Sequence, residues 1–445
     1  MKRLLIASIF LLYSFACSAE DLVIVSPHWE GIRYEFARAF SADYEHRTGK
    51  TVNITWLDVG GTSEIIRYLQ SQYQSHPQSA GIDLLFGGGV DPFIALKQAS
   101  LLAPLNLSAS DLTGIASTVA GIPLQDPDGY FMAPTMSAFG IICNRAVLKR
   151  LNLPEPRTWE DLAKPEFKSW IGSADPRSSG SMHMAYEIIL QAYGWEKGWN
   201  IIYHLASNVR AFVANSLQVS KDVANGETAC GLAIDTQAAS QIQAYGTERI
   251  SFIIPEGLSV INGDSIALLK GAPHAELARD FVRFLFSEAG QKIWYYKQGA
   301  LGGPLQYELS RLSVMPKLYE NTAPTLVTID PFALHSTLAY DFTLGSKRWS
   351  LVSDLLQMFV LERQEALRLS IPPNPPITLK EAEALMAQQK GFSAIDHVRK
   401  LHEWELLVAG DYGERFLRGA TPGVLVLIIL SFFALRRRYR KRWLE

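Results

Sequence analysis

Two short segments rich in glycine and hydroxyl side chains have the composition of an anion-binding turn. Gly60-Gly61-Thr62-Ser63 opens a predicted helix directly after a predicted strand, and Ser178-Ser179-Gly180-Ser181 repeats the arrangement further along the chain. A helix start exposes backbone N–H groups at the positive end of the helix dipole, which suits a phosphate, sulfonate or carboxylate. A serine or threonine at this position is equally typical of an ordinary N-cap. The two segments together predict an anionic group held from both sides.

Further candidate side chains follow the ends of other predicted strands. Trp29 could stack on a ligand or cover the core, and a lone histidine such as His28 is more often structural than a ligand. Arg177 could pair with an anion or lie in solvent, whereas Asp235 and Asp264 could meet an amine or a hydroxyl. The predicted ligand-binding residues are His28, Trp29, Gly61, Thr62, Ser63, Gly88, Gly89, Ser137, Arg177, Ser178, Ser179, Gly180, Ser181, Asp235, Asn262 and Asp264.

The sequence contains none of the common motifs that carry catalysis. It has no Gly-x-Ser-x-Gly elbow, no phosphate-loop lysine motif and no His-Glu-x-x-His. Carboxylate pairs occur only as charges on predicted helix surfaces. We therefore predict a binding protein rather than an enzyme, with no cofactor and no resident metal.

Short apolar strands alternate with amphipathic helices from Glu20 to about Pro304. This β-α-β order demands largely parallel sheets with helices on both faces, and the pattern restarts near Trp170, so we predict two α/β lobes. Chain crossings are predicted near residues 138–144 and 260–262. The predicted lobes are thus residues 20–137 plus 262–310, and residues 138–261. Two lobes joined by two crossings make a hinged clamp, which is a ligand-binding geometry.

The alternation stops after Pro304, and the remaining periodicity is helical. Helices are predicted over residues 347–369 and 379–408, separated by the proline-rich run 371–376. We expect this helical extension to cover residues 311–415.

Both ends of the chain have the features of membrane targeting. Residues 1–19 combine a basic start, an apolar run and small residues before a cleavage point, which predicts a signal peptide. Residues 419–435 are apolar and precede a basic cluster, which predicts one transmembrane helix with residues 436–445 as a cytoplasmic tail. A net charge of −2 gives no indication of nucleic-acid binding.

The two cysteines of the predicted lobes both lie in apolar, strand-like runs. Cys143 and Cys230 could pair in an oxidising compartment, but a free buried thiol is the slightly favoured interpretation.

The ordered set of motifs resembles the extracellular solute-binding proteins of ABC importers, with the iron(III)-type branch as the closest. The segments that carry the resemblance are Gly60–Ser63, Gly87–Asp91, Phe139–Arg145, Leu153–Leu162, Asp175–Ser181 and Ser287–Gln291. The resemblance covers about residues 22–305 and implies a type II periplasmic-binding fold. Ferric-binding members have a tandem tyrosine where this chain has Asp235-Thr236-Gln237, so an organic anion is favoured and ferric-ion binding is an alternative.

The helical extension is similar to that of phosphoglycerate transport regulatory proteins, which share the binding fold but serve a sensor kinase. Two functions are therefore expected. One is a membrane-tethered periplasmic receptor that delivers a small anionic solute to an ABC permease. The other is a ligand sensor that signals through a membrane kinase. In either case we expect the inner membrane to hold the chain through its C-terminal helix.

Overall fold

The computed structural model describes residues 19–334 and 337–387. The strands are β1 Glu20–Val25, β2 Val52–Leu57, β3 Leu84–Phe86, β4 Leu102–Ala103, β5 Thr118–Val119, β6 Ile122–Pro123, β7 Phe131–Met132, β8 Thr135–Asn144, β9 Ile171–Ala174, β10 Val209–Val213, β11 Cys230–Ile234, β12 Ile250–Ile253, β13 Ile261–Gly263, β14 Ile266–Leu269 and β15 Leu312–Ser313. The helices are α1 Glu30–Thr48, α2 Thr62–Ser75, α3 Asp91–Gln98, α4 Arg145–Leu151, α5 Gly180–Tyr193, α6 Trp195–Asn208, α7 Ser216–Asn225, α8 Asp235–Tyr245, α9 Ala275–Phe286, α10 Glu288–Tyr295, α11 Phe342–Leu356, α12 Gln364–Leu369 and α13 Leu379–Ala387.

Two sheets with the same strand order form the two lobes. The first runs β2-β1-β3-β14-β4, and the second runs β10-β9-β11-β8-β12. In each sheet, three neighbouring strands are parallel and the strand added next to them is antiparallel. The inner parallel strands β3, β9 and β11 are fully buried, which agrees with their apolar sequences, whereas the edge strands β2 and β10 are partly exposed. The predicted two-lobed α/β fold is therefore present.

The hinge between the lobes is built from three antiparallel segments. The first half of β8 pairs with β13 and with β15, whereas its second half belongs to the second sheet. Ser137 faces Asn262 in this register. The expected crossings thus lie on β8 and β13, while β15 adds a strand from beyond Pro304 that was not expected.

The segment beyond Pro304 packs onto both lobes. Its longest helix, α11, begins at Phe342 and continues into a π-helical stretch, Gln357–Leu361. Leu351, Val352 and Leu355 of α11 are buried in the main hydrophobic core. The extension is therefore an integral part of the folded body.

One part of the predicted fold class is corrected. None of the helices among residues 19–334 and 337–387 is long and apolar enough to cross a membrane. The apolarity of residues 419–435 led to that expectation, and these residues lie outside the described part of the chain, as do residues 1–18 of the expected signal peptide.

The interpretation of Cys143 and Cys230 as free thiols is also wrong. The two residues face each other on adjacent antiparallel strands, β8 and β11, with a Cα–Cα distance of 4.1 Å, and they form a disulfide. They are 87 residues apart in the chain. Their apolar surroundings predicted burial correctly, but the strand register that brings them together could not be deduced from those surroundings.

Replacing both cysteines, Cys143→Ala and Cys230→Ala, should lower the free energy of unfolding by about 2–5 kcal/mol, because the cross-link restricts the unfolded chain. Urea denaturation with and without reductant provides the control: reductant should destabilise the wild-type protein and leave the double variant unchanged. Alkylation of both cysteines in unreduced, unfolded protein would contradict the disulfide.

Candidate functional site

A cavity of about 640 Å³ lies between the lobes, at the carboxyl ends of the parallel strands. Residues from both lobes and from the segment beyond Pro304 form its wall. The predicted residues that line it are His28, Trp29, Gly61, Thr62, Gly88, Gly89, Ser137, Ser178, Ser179, Gly180, Ser181, Asn262 and Asp264.

Six helices begin at this cavity: α1, α2, α3, α5, α7 and α8. Each contributes at least one lining residue from its first turn or from the loop just before it. Their N-termini carry partial positive charge, so the cavity favours a negatively charged ligand. Lys221 also lines it and adds a positive charge, whereas the charge of Arg311 is balanced by Asp264.

The two helix starts identified in the sequence touch each other across the cleft. A Cβ atom added to Gly61 would collide with the backbone carbonyl of Ser178, and one added to Gly180 would lie 2.7 Å from the Thr62 hydroxyl. Gly61 has a φ of −76°, which any residue can adopt. Glycine is therefore needed at position 61 for close approach of the lobes rather than for its backbone conformation.

The serine-rich turn is an N-cap and also forms part of the cavity wall. The Ser179 hydroxyl accepts a hydrogen bond from the Met182 N–H at 3.4 Å, as an ordinary N-cap does, while Ser179 also lines the cavity. On the opposite side, the Glu64 carboxylate accepts from the Gly61 N–H at 2.7 Å and caps α2. Some helix-start donors are thus already satisfied within the protein.

Asp264 joins three separate parts of the chain beside the cavity. His28 Nε2 lies 2.9 Å from its carboxylate, the Gly88 N–H donates to it at 2.8 Å, and Arg311 Nη2 donates a short hydrogen bond. Burial alone would raise the pKa of Asp264, but attraction to His28 and Arg311 and these hydrogen bonds hold that pKa well below its usual value. Asp264 is therefore an ionised structural partner rather than a free acceptor for a ligand amine.

Another buried carboxylate brings Arg311 to the site. Glu35, fully buried on α1, accepts hydrogen bonds from the backbone N–H groups of Leu305, Gln306 and Tyr307 at 2.5–2.9 Å. This fixes the loop that precedes Arg311.

Five residues of the cavity wall contain a buried polar atom that has no hydrogen-bond partner within the part of the chain that the structure describes. These atoms are His28 Nδ1, Asp91 Oδ2, Gln237 Oε1, Asn262 Oδ1 and Arg311 Nε. Burying polar groups without partners costs free energy, and polar atoms of a bound solute could offset part of that cost.

Three predicted residues lie outside the cavity wall. Ser63 accepts a hydrogen bond from Trp349 Nε1 at 3.1 Å. The Arg177 guanidinium donates several hydrogen bonds to the Asp175 carboxylate. Asp235 is buried at the start of α8, where burial raises its pKa to about 7. Their sequence positions next to lining residues made them candidates, but the side chains of Ser63 and Arg177 bond to protein partners, and that of Asp235 is buried outside the cavity wall.

Several lining residues escaped sequence analysis. Asn215, Ser216, Thr236 and Gln237 flank the starts of α7 and α8, where position after a strand could have identified them. The other missed polar or aromatic residues are Asp91, Phe139, Lys221, Ser240, Gln241, Glu308, Arg311 and Trp349. Of these, the last three come from beyond Pro304, where no sequence pattern pointed to a ligand site.

The donors around His28 do not suit a metal ion. Its ring faces Asp264, whose carboxylate is shared with the Arg311 guanidinium, and that positive charge would repel a cation. Among residues 19–334 and 337–387, no three His, Cys, Asp or Glu side chains are grouped so that they could hold a metal.

Comparison with known proteins identifies the family. The family described as bacterial extracellular solute-binding protein matches residues 79–309, which is more than half of the chain. This chain belongs to that family. The solute-binding protein is also 28% identical over 162 residues to the phosphoglycerate transport regulatory protein PgtC of Salmonella typhimurium. That match spans 36% of this chain and 40% of PgtC.

Solved structures of other binding proteins share the fold. The periplasmic binding protein AfuA from Actinobacillus pleuropneumoniae, with exogenous fructose-6-phosphate bound, has a TM-score of 0.59 and 20% identity, over 81% of this chain and 100% of AfuA. Apo ferric ion-binding protein A from Pasteurella haemolytica has a TM-score of 0.58 and 16% identity, over 76% of this chain and 97% of its own. At these identities the similarity shows the fold of this solute-binding protein alone.

Replacing Asp264 by asparagine should destabilise the protein by about 3–5 kcal/mol near neutral pH, because His28 and Arg311 lose a buried partner. The lowered pKa means that the carboxylate contributes its stability above about pH 4 and loses it as the pH falls further. The difference in free energy of unfolding between the wild type and Asp264→Asn, measured by denaturant titration, should therefore become smaller in acid. Asp58→Asn, at an exposed ion pair with Arg33, is the control and should cost about 1 kcal/mol or less. A difference in free energy of unfolding that stays constant with pH would contradict an ionised, paired Asp264.

Replacing Gly61 by alanine should hold the lobes apart, because the added methyl group collides with the Ser178 carbonyl only in the closed arrangement. Small-angle scattering should give a larger radius of gyration than for the wild type, with no loss of thermal stability. Ser71→Ala, on an exposed face of the same helix, should leave the radius unchanged. Identical scattering from Gly61→Ala and wild type would show that the two helix starts do not meet in solution.

Proposed function

We propose that this solute-binding protein captures a small organic anion, carrying a phosphate or carboxylate group, between its lobes and presents it to an ABC permease. The observation that carries the proposal is the convergence of six helix N-termini on one cavity. Arg311 and Asn262 line that cavity, and each contains a buried polar atom without a hydrogen-bond partner among the described residues.

The acidic residues at the cavity oppose an anion less than their number suggests. Asp264 is neutralised by its contacts with His28 and Arg311. Burial raises the pKa of Asp91 to about 8, so this carboxyl group is uncharged near neutral pH. The third acidic residue of the described cavity wall is Glu308. It is the one whose charge no ion pair within this wall offsets.

The names of related proteins agree with this ligand chemistry. AfuA was described with fructose-6-phosphate and PgtC is named for phosphoglycerate transport, and both compounds are small phosphorylated anions. The absence of catalytic motifs from the sequence supports a receptor rather than an enzyme.

A second candidate function is ligand sensing for a partner protein. PgtC is named a regulatory protein, and in this chain α11 of the C-terminal segment contacts both lobes. A segment in contact with both lobes is in a position to respond to their closure.

Matched pairs of compounds test the charge preference. Isothermal calorimetry and thermal unfolding should show binding of fructose 6-phosphate or 3-phosphoglycerate and none of fructose or glycerol, because only the former pair carries a negative charge for the helix N-termini. Mass spectrometry of small molecules released from the purified protein extends the search to other anions. Preferential binding or recovery of neutral or cationic solutes would refute the proposal.

Replacing Thr62 by valine or Ser179 by alanine should weaken binding of the anion identified in this way by about 1–3 kcal/mol each, through loss of a hydrogen bond to a charged group. Ser71→Ala, outside the cavity on α2, is the control and should bind like the wild type. Unchanged affinity in calorimetry for both cavity variants would remove these two helix starts from the binding site.

A further inference from the structure

Trp349 on α11 contacts both lobes at the place where they meet. Its indole N–H donates to the Ser63 hydroxyl of α2 at 3.1 Å. Its ring stacks on His183 of α5, with ring centroids 3.7 Å apart and an interplanar angle of 27°. Trp349 also lines the cavity. One side chain from the C-terminal segment therefore joins the first turns of the two helices that face each other across the cleft.

The second lobe holds α11 firmly. Arg348 and Glu187 form a buried ion pair with N–O distances of 2.7–3.0 Å, and their side chains are 5% and 0% exposed. His183 Nδ1 lies 3.0 Å from the Ser353 hydroxyl. Burial, reinforced by the charge of Arg348, lowers the pKa of His183 to about 3, so its ring is neutral beneath Trp349. A buried, paired contact of this kind is costly to break.

The first lobe packs against α11 through α3 and is joined to the same segment by hydrogen bonds. The Tyr340 hydroxyl donates to Asp91 at 2.9 Å, the Trp349 indole to Ser63, and the Thr337 hydroxyl to the Ala120 carbonyl at 3.2 Å. Gly345 of α11 lies directly against Asp91, and a Cβ atom there would collide with the Asp91 carboxyl group. Because breaking the buried Arg348–Glu187 ion pair costs more than breaking single hydrogen bonds, α11 is expected to stay on the second lobe if the clamp opens.

We propose that α11 is a latch that holds the two lobes closed, with Trp349 as the side wall of the solute cavity. The inference rests on the solute-binding clamp proposed above, and adds that the C-terminal segment shares in closure. Opening must break the Tyr340–Asp91 and Trp349–Ser63 hydrogen bonds and separate Gly345 from Asp91. Each lost hydrogen bond should shift the open-to-closed ratio roughly two- to tenfold towards open.

The test measures the distance between the lobes directly. Spin labels are attached through Gln74→Cys on α2 and Gln218→Cys on α7, both exposed, with Cys17→Ser to leave no other free thiol. Electron–electron double resonance on the full chain without added solute then reports closed and open populations as short and long distances. We expect the otherwise unaltered protein to show a substantial short-distance population.

Gly345→Ala separates docking from helix stability. Alanine should strengthen the isolated helix, yet its methyl group cannot fit against Asp91, so the short-distance population should fall. Ser350→Ala, at an exposed position of α11, is the matched control and should leave the populations unchanged. Trp349→Phe, which keeps an aromatic ring on His183 but loses the bond to Ser63, should also shift the populations towards open.

The outcomes separate this inference from the proposed function. Equal populations in wild type, Gly345→Ala and Trp349→Phe, or a wild-type protein with only the long distance, would overturn the latch. Because no solute is needed, that result would leave anion binding intact. Conversely, failure of every anion to bind, with the population shifts present, would overturn the proposed function and retain a latch between the lobes.

Discussion

The buried carboxylate of Asp264 is the interaction on which the geometry of the site depends. It lies just after β13, where the chain returns to the first lobe, and it holds His28 from the loop after β1, Gly88 from the loop after β3 and Arg311 from the segment next to β15. An ionised group in such surroundings is tolerated only because every neighbour offers a positive charge or an N–H. The same contacts direct Arg311 towards the cavity and neutralise a charge that would otherwise repel an anion.

The order of the α/β elements was predictable because buried parallel strands and amphipathic helices leave strong periodic patterns. The strand–loop–helix junctions could likewise be located, so the helix starts at Thr62 and Gly180 were correctly expected to face one another. The hydrogen-bond partners of individual polar side chains could not be predicted from the sequence. Ser63 and Arg177 stand next to lining residues, yet Trp349 and Asp175 take up their polar groups. Only the fold brings those partners within reach.

The contribution of the C-terminal segment could not be predicted for a related reason. Arg311 and Trp349 lie in stretches whose sequences show only helical periodicity or none, and their relation to the cavity depends on long-range packing. Glu35, on α1, fixes the loop before Arg311, although about 270 residues separate them.

Strand β8 carries the hinge at one end and Cys143 at the other. The register of β8 against β11 is already fixed by burial of both strands, and the disulfide adds a covalent link to it. The sheet end of β8 is thus tied to its neighbour, so rotation of the lobes has to be absorbed at the other end, in the hinge segments of β8, β13 and β15.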